Sequence, residues 1–597
     1  MKLSKIYSNN DKKFKPIVFN DGLSIIYAAV TRPKDSEKDS HNLGKTLLIK
    51  LIDFTLLCGF KAGHFLYDHK DIFQDFEFFL EIKLNAGGYV TIRRSVSQNT
   101  KISLKRHPEP NQDFSELADI SWDISKAPIK KTKHTLNEIV GLTSISPWDY
   151  RKGVSYFLRT QADYLDVFQT SRFAVGKHKD WKPYLAAVLG FPFESVQAKY
   201  EKDEAIEAKE KFRAEYSRQV SVDSGEYDRI KGTIEIKRAE VDENRKRIDR
   251  FNFFEKDLSI NAELVSEIES RVAYLNEQLY DIGLEVERIR ASLAAKVNFD
   301  LKQVREIFEE ARLYFPEELA KSYEELQEFN TKLSEERNKR LEQRLEKLIE
   351  KRAVHEEELE GLNRERESLL EVLQNKDTFN KFRLLQSEII QQETRIAQLQ
   401  AELSNLDAMA RIDREILALK QERQRLVSIV EEAVNAGNST YSSIRQKLNE
   451  IIHHVLGVPA LLSTKVNAEG NLEFNAQLIR DEETRAVTSE GQGTSYKKML
   501  CAAFDMAVLE TYATGSFYRF VYHDGVLEGL DERKKTKLLE AVDRFCETYQ
   551  LQYILTMIDA DVPRDMNNKK ISFPKGTIVR ELHERGDSGR LFNMQKF

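Results

Sequence analysis

The chain is poor in the residues that break helices and in those that staple or ligate. Its 597 residues include only 12 Pro, 25 Gly, 3 Cys and 3 Trp. So little Pro and Gly, beside abundant Glu, Lys, Arg, Gln and Leu, indicates long helix rather than the several globular domains that length alone suggests. Cys58, Cys501 and Cys546 stand far apart with no CxxC pair. That spacing excludes a cysteine metal hook and fits a reducing compartment. No run of about 18 apolar residues occurs, so no transmembrane helix is expected. Met1-Lys2-Leu3-Ser4-Lys5-Ile6 lacks an apolar signal region, which makes the cytoplasm the default location. The net charge of -6 removes any global basic signal for nucleic acid and leaves open only a local patch.

What the chain does have is charge and aromatic residues. Charged residues make up 32%, and 33 Phe and 22 Tyr gather near the two ends, which places a sizeable core there. Residues 1–195 read as mixed α/β. Ile17-Val18-Phe19 and Leu23–Tyr27 read as strands joined through the turn signal Asn20-Asp21-Gly22. Phe76–Lys83 and Tyr89–Arg94 read as a second strand pair around Asn85-Ala86-Gly87-Gly88.

From about residue 196 the period changes. Val265, Ile268, Val272, Leu275, Leu279, Ile282, Val286, Ile289 and Leu293 keep spacings of 3 and 4, and Ile230, Ile234, Val241 and Ile248 follow the same rule upstream. A second run holds Leu341, Leu345, Leu348, Leu359, Leu362, Leu369 and Leu373, interrupted by Arg352, His355 and Arg366. Ile396, Leu399, Leu403 and Leu406 continue it, and Met409, Ile412 and Ile416 restart three residues early, as a stammer does. Between the runs, Tyr314-Phe315-Pro316 interrupts the helix pattern. The expected organisation is an N-terminal lobe at 1–195, an outgoing arm at 196–295, a reversal at 296–325, a returning arm at 326–436 and a C-terminal lobe at 437–597. An intramolecular antiparallel hairpin and a parallel two-chain coil both fit the heptads. The hairpin is preferred because motifs on both flanks need each other. Each arm, if unbroken, would reach about 150 Å at 1.5 Å per residue. After Gly437-Asn438-Ser439 the pattern turns globular, with a hairpin signal at 461–479.

Five stretches carry chemistry. Asp39-Ser40-His41-Asn42-Leu43-Gly44-Lys45-Thr46 lies between a strand pattern and a helix pattern, where a P-loop reads GxxxxGK[ST]. Asp39 replaces the first Gly, while Gly44-Lys45-Thr46 is complete. In that reading Gly44 lets backbone amides approach phosphate, Lys45 would meet the β- and γ-phosphates of ATP, and the Thr46 hydroxyl would ligate magnesium, with Asn42 in the same loop. Thr488-Ser489-Glu490-Gly491-Gln492-Gly493 resembles the ABC signature loop, with Glu490 in place of a Gly. The resemblance implies that Ser489, Gly491 and Gln492 cap the γ-phosphate of ATP held by an opposing head. Phe520–Asp531 contains an apolar strand ending in Asp524, which resembles Walker B and would act on the magnesium shell. Gly525 stands where a catalytic Glu is usual, and Glu528 is the nearest carboxylate that could polarise water, a solvated loop position being the plain alternative. Asp531 falls where the ABC D-loop lies. Tyr553–Asp559 reads as the last core strand, with Met557 or Ile558 in place of a switch His. A fifth stretch, Leu158-Arg159-Thr160-Gln161, offers Gln161 as a Q-loop residue touching magnesium, beside Thr160.

In this order (P-loop, Gln, coil out, reversal, coil back, signature, Walker B, D-loop) the motifs resemble SMC and RecN-like proteins. The implied fold is an α/β ABC-type ATPase head, a P-loop NTPase, split by a long antiparallel α-helical coiled coil. The segments HNLGKT (41–46), WDYRKG (148–153), HKDWKPYLAAVLGF (178–191), LYFPEEL (313–319), SEGQGTSYKK (489–498) and HDGVLEGLDERKK (523–535) further resemble the SMC-like ATPase of bacterial ABC three-component, Lamassu-type, anti-phage systems. That resemblance implies ATP and Mg2+ as cofactors and a homodimer closed on ATP. It also implies DNA as a partner, an effector subunit of nuclease type, and a small middle-component subunit. The absent Glu and His imply slow turnover. A RecN-type repair ATPase and a non-hydrolysing structural tether are the alternatives. For DNA contact, Arg93-Arg94, Lys101, Lys105-Arg106, Lys130-Lys131, Lys133, Lys497-Lys498 and Arg533-Lys534-Lys535 are the candidate basic residues, with solvated surface as the plain reading of each.

Overall fold

The computed structural model describes residues 1–29, 43–173, 176–219, 226–249, 258–294, 318–371, 376–479, 493–565 and 568–597. Two compact units result: one joins Met1–Ile206 to Leu419–Phe597, the other is Glu207–Ala418.

In chain order the strands are β1 (Lys2–Ser8), β2 (Ile17–Val18), β3 (Leu23–Ala29), β4 (Glu77–Lys83), β5 (Tyr89–Ser95), β6 (Lys101–His107), β7 (Ile124–Pro128), β8 (Leu158–Arg159), β9 (Ala460–Val466), β10 (Leu472–Leu478), β11 (Phe520–His523), β12 (Gln552–Ile558) and β13 (Ile578–His583). The longer helices are α1 (Lys45–Thr55), α2 (Ile129–Val140), α3 (Phe193–Gln219), α4 (Tyr227–Asp249), α5 (Leu258–Ala294), α6 (Glu318–Glu371), α7 (Lys376–Ala436), α8 (Ser439–Leu456), α9 (Thr494–Thr511) and α10 (Glu532–Tyr549).

The first unit holds a parallel sheet of order β13-β3-β12-β11-β8, whose strands come from both ends of the chain. β3 pairs with β12 over six residues, from Leu23↔Tyr553 to Ala28↔Ile558. Sequence explains the position. β11 and β12 are buried almost without alternation, as strands covered on both faces must be. A six-stranded antiparallel sheet, β2-β1-β4-β5-β6-β7, lies in the same unit. Gln552 ties the two sheets together: its side chain exchanges hydrogen bonds with the Leu3 backbone at 2.9 and 2.7 Å and donates to Asn20 O at 2.7 Å. α9 is buried from Met499 to Glu510 and so belongs inside the fold rather than on its surface.

Three sequence expectations are corrected here. Ile17-Val18 and Leu23–Tyr27 do not form a hairpin. β2 pairs antiparallel with β1, while β3 enters the parallel sheet, so Asn20-Asp21-Gly22 is a crossing between sheets. β3 carries consecutive buried residues, Ser24, Ile25 and Ile26, which suit a strand covered on both faces and not a surface hairpin. β12 is not the last core strand either, because β13 adds in parallel on the far side of β3. With one buried residue in six, its pattern is that of a sheet edge, which leaves a weak sequence signal. Finally, α6 begins at Glu318, so residues 318–325, expected in the reversal, are helical. Residues 296–317 lie outside the described residues.

In the second unit the helices pair antiparallel. Arg271, Glu285 and Ser292 of α5 meet Glu358, Arg344 and Arg337 of α6, so partner numbers fall as α5 ascends. Arg245 of α4 pairs with Glu393 of α7, and Lys209 of α3 with Glu415. Ile230, Ile234 and Val241 cluster with Ile389, Ile396, Leu399 and Leu406. Arg366, an expected seam break, pairs with Glu269 at 3.5 Å. α7 runs through the stammer unbroken, with Leu406, Met409, Ile412 and Ile416 all buried. α5 also lies beside α4 and α7: Tyr274 and Tyr280 line a cavity of about 620 Å³ with Arg238, Arg245 and Thr394. Helices α4 and α5 therefore lie side by side rather than end to end.

Candidate functional site

Gly44 adopts φ +96° and caps the start of α1, placing Lys45 and Thr46 in its first turn. Asn42 and Asp39 lie outside the described residues. Lys45 is 5% exposed, a buried cation at a helix N-terminus. The Thr46 hydroxyl donates to Asp524 Oδ2 at 2.6 Å. Asp524 follows β11, is fully buried, and accepts at its other oxygen from Thr556 of β12 at 2.5 Å. Its backbone N–H donates to Arg159 O of β8 at 3.0 Å. Adjacent parallel strands end at one edge, so residues just beyond their carboxyl ends converge, the usual ligand position in open α/β sheets.

Glu528 and Gln161 meet at this edge. Gln161 Nε2 donates to both Glu528 oxygens, at 3.0 and 3.2 Å. Lys498 of α9 donates to Glu528 Oε2 at 3.1 Å and to Gly525 O at 3.2 Å. Gly525 has φ +66°, and a Cβ there would lie 2.9 Å from the Glu528 carboxylate and 2.8 Å from Gln161 Nε2. The Glu528 carboxylate thus occupies the space beside Gly525 that a side chain at 525 would need. Asp561, 5% exposed, accepts from Ile558 N at 3.1 Å. Burial pushes its carboxyl up; the Glu528 charge adds to this, while Lys535 and Lys45 oppose it.

Two further candidate residues are engaged within the fold. The Thr160 hydroxyl donates to Asp163 Oδ2 at 2.7 Å, and the same carboxylate accepts from Thr160 N at 2.9 Å, a capping arrangement. Asp531 is the N-cap of α10, accepting from Lys534 N at 3.1 Å and pairing with its ammonium at 3.0 Å. Ser489, Gly491 and Gln492 lie outside the described residues.

Behind the edge is a buried polar network that the sequence did not announce. Arg159 uses all five guanidinium hydrogens: a fork to Asp505 at 2.5 and 2.9 Å, and bonds to the carbonyls of Asp163, Asp166 and Val167. Asp505 Oδ2 also meets His523 Nε2 at 3.1 Å, and His523 Nδ1 lies 2.7 Å from the Tyr553 hydroxyl. Burial lowers the His523 pKa against the pull of Asp505, so the ring is neutral. Burial likewise holds the Tyr553 phenol far above its usual range, so it remains a donor. The consistent assignment has Tyr553 donating to Nδ1 and Nε2–H donating to Asp505. Burial lowers the Arg159 pKa, but its partners together, Asp505 foremost with Cys501 and Asp163, raise it above the usual value. This network joins β8, α9, β11 and β12; Lys498 and Thr556 lie on α9 and β12, and Gln161 and Asp524 just beyond β8 and β11.

Several basic residues counted towards a nucleic-acid surface are bound within the fold. Arg94 is buried and donates to the carbonyls of Phe54, Cys58 and Asn99. Arg93 pairs with Asp119 and Glu77 and stacks over Trp122. Lys105 pairs with Asp123, and Lys535 with Glu532. Lys101, Arg106, Lys130, Lys131, Lys497 and Arg533 remain exposed.

Among the described residues no cluster of three or more His, Cys, Asp or Glu could hold a metal. A hydroxyl and a carboxylate 2.6 Å apart, Thr46 and Asp524, nevertheless suit magnesium, which takes one or two protein oxygens and fills its shell with water and phosphate. No described helix is long and apolar enough to cross a membrane.

Residues 447–596 match a family described as "uncharacterised protein conserved in bacteria (DUF2326)". No curated protein matches the chain. Among solved structures, the Smc head domain with a coiled coil and joint from Pyrococcus yayanosii is similar at 14% identity and TM-score 0.32, covering 96% of this chain and 97% of that one. The Smc head domain with an extended coiled coil, bound to the C-terminal domain of ScpA, from Pyrococcus furiosus is similar at 12% identity and TM-score 0.31, covering 96% of each chain.

Proposed function

We propose that the chain is an ATP-binding P-loop protein of ABC type, whose nucleotide site is completed by the two ends of the polypeptide. The observation that carries this is the Thr46–Asp524 hydrogen bond, 478 residues apart in sequence, at the shared edge of β11 and the start of α1. Lys45 and the first turn of α1 would receive the phosphates. Thr46 and Asp524 would hold Mg2+, which when bound neutralises phosphate charge. Gln161 and Lys498 orient Glu528, which accepts a proton from the attacking water. The Lys498 ammonium and the Gln161 amide both stabilise the charged carboxylate, which weakens Glu528 as a base and fits slow turnover. Isothermal titration with ATP and Mg2+ tests the reading. Wild type is expected to bind and Lys45→Ala to lose binding. A wild type that binds no nucleotide would leave the structural-tether reading in its place.

The finer reading is a homodimer closed on ATP through Ser489, which contacts DNA and controls an effector subunit with a small middle component in anti-phage defence. Its support is the sequence resemblance, with the exposed Lys101, Arg106, Lys130 and Lys131 as candidate phosphate contacts. ATP-dependent dimerisation, lost in Lys45→Ala, is the expected result by light scattering.

A further inference from the structure

A cavity of about 540 Å³ beside Gly44–Leu47 is left unused by the account above. One wall is the start of α1; the other is the segment Arg590–Phe597, and Phe65 and His69 also line it. That segment is fastened to the loop. Leu591 N donates to Leu43 O at 3.0 Å, and Asn593 N to Lys13 O at 2.7 Å. A Cβ on Gly44 would lie 2.9 Å from Leu591 Cβ, so the absence of a side chain there lets the segment reach the loop, independently of any phosphate. Phe592 and Phe597 each lie 4.9 Å from Phe73, anchoring the segment in an aromatic cluster. Phe597 meets His69 edge-on at 5.1 Å, so two rings stand at a corner of the cavity. Arg590, held by Asp587 at 2.9 Å, and the exposed Gln595 and Lys596 add polar groups.

We propose that this cavity receives the nucleoside of the bound nucleotide, with Phe597 and His69 as its aromatic wall. The inference rests on the nucleotide-binding reading above and deepens it. Its volume falls in the range of small-molecule sites, about 300–1,000 Å³, and its aromatic lining with a few polar groups is their usual make-up. Leu47 follows the phosphate-facing Lys45 and Thr46 and lines the cavity, so a sugar carried by phosphates at Lys45 enters here. Base-on-ring stacking tolerates any base, so the site favours nucleotides over inorganic polyphosphate more than one base over another.

Titration of the full chain with ATP and, separately, with inorganic tripolyphosphate, both with Mg2+, tests this. Phe597→Leu is expected to weaken ATP about tenfold or more, to leave tripolyphosphate unchanged, and to be rescued by Phe597→Tyr. Lys45→Ala is expected to weaken both. If Phe597→Leu binds ATP like wild type, or weakens both ligands equally, the inference fails while the phosphate site stands. If wild type binds neither ligand, the nucleotide reading fails and the inference with it. Photolabelling of wild type with an azido-adenine ATP gives a readout independent of variant folding. Label is expected on peptides containing 590–597 or 65–69, and label confined elsewhere overturns the inference.

Discussion

Glu528 is the residue whose role the geometry changes most. By sequence it is one carboxylate in a loop, three residues from where a catalytic Glu is usual. In the fold, Gly525 in a left-handed conformation leaves room for Glu528 to turn back into that place, gripped by Gln161 and Lys498. Glu528→Gln is therefore expected to cut ATP turnover by about a hundredfold or more while preserving ATP binding, measured by phosphate release beside titration. Turnover equal to wild type would assign the water to another group. His523 supplies a pH test. Burial lowers its pKa in the fold, while the unfolded chain takes up a proton below about pH 6.5. The unfolded state then holds the extra proton, so stability is full above that value and falls as pH drops below it. The urea midpoint is expected to fall between about pH 7.5 and about pH 5.5, and to fall less in His523→Gln. Gly44, Lys45, Thr46 and Asp524 were legible because each sits in a local motif. Thr556 and Asp561 were not: a lone Thr in an apolar strand becomes a partner of Asp524 only through the register of β11 on β12.

Among the elements, β8 is two residues long yet carries the side chain that binds the edge together. Arg159 reaches α9 through Asp505, and Asp505 reaches β11 through His523. Removing one partner leaves a buried, unpaired charge. Arg159→Met is expected to cost about 3–5 kcal/mol in urea unfolding, and the pair Arg159→Met with Asp505→Leu less than the sum of the singles. Additive losses would show that the two charges do not depend on each other. Helices α4 to α7 were legible from their 3–4 spacing, because a paired helix exposes its period directly. β2 and β3 were misjoined because Asn20-Asp21-Gly22 is a turn signal in both a hairpin and a sheet crossing. Only the burial of β3 on both faces separates the two. β13 was missed because an edge strand keeps few buried positions.

At the scale of the molecule, one sheet is drawn from residues 23–29, 158–159, 520–523, 552–558 and 578–583. The order of motifs along the chain made that assembly legible, since Gly44-Lys45-Thr46 near one end and the Asp-ended strand near the other were expected to serve one site. The lie of α5 beside α4 and α7 was not legible, because heptads report that a helix has a partner and not which one. The claim on which the rest depends is that Thr46 and Asp524 act as one unit on the metal-bound nucleotide. A double-mutant cycle on ATP affinity with Mg2+, using Thr46→Val, Asp524→Asn and the pair, measures this most directly. The account predicts a coupling of about 1 kcal/mol or more, with the double variant hardly worse than either single. Losses that simply add would contradict it, because two groups sharing one ligand cannot be removed independently.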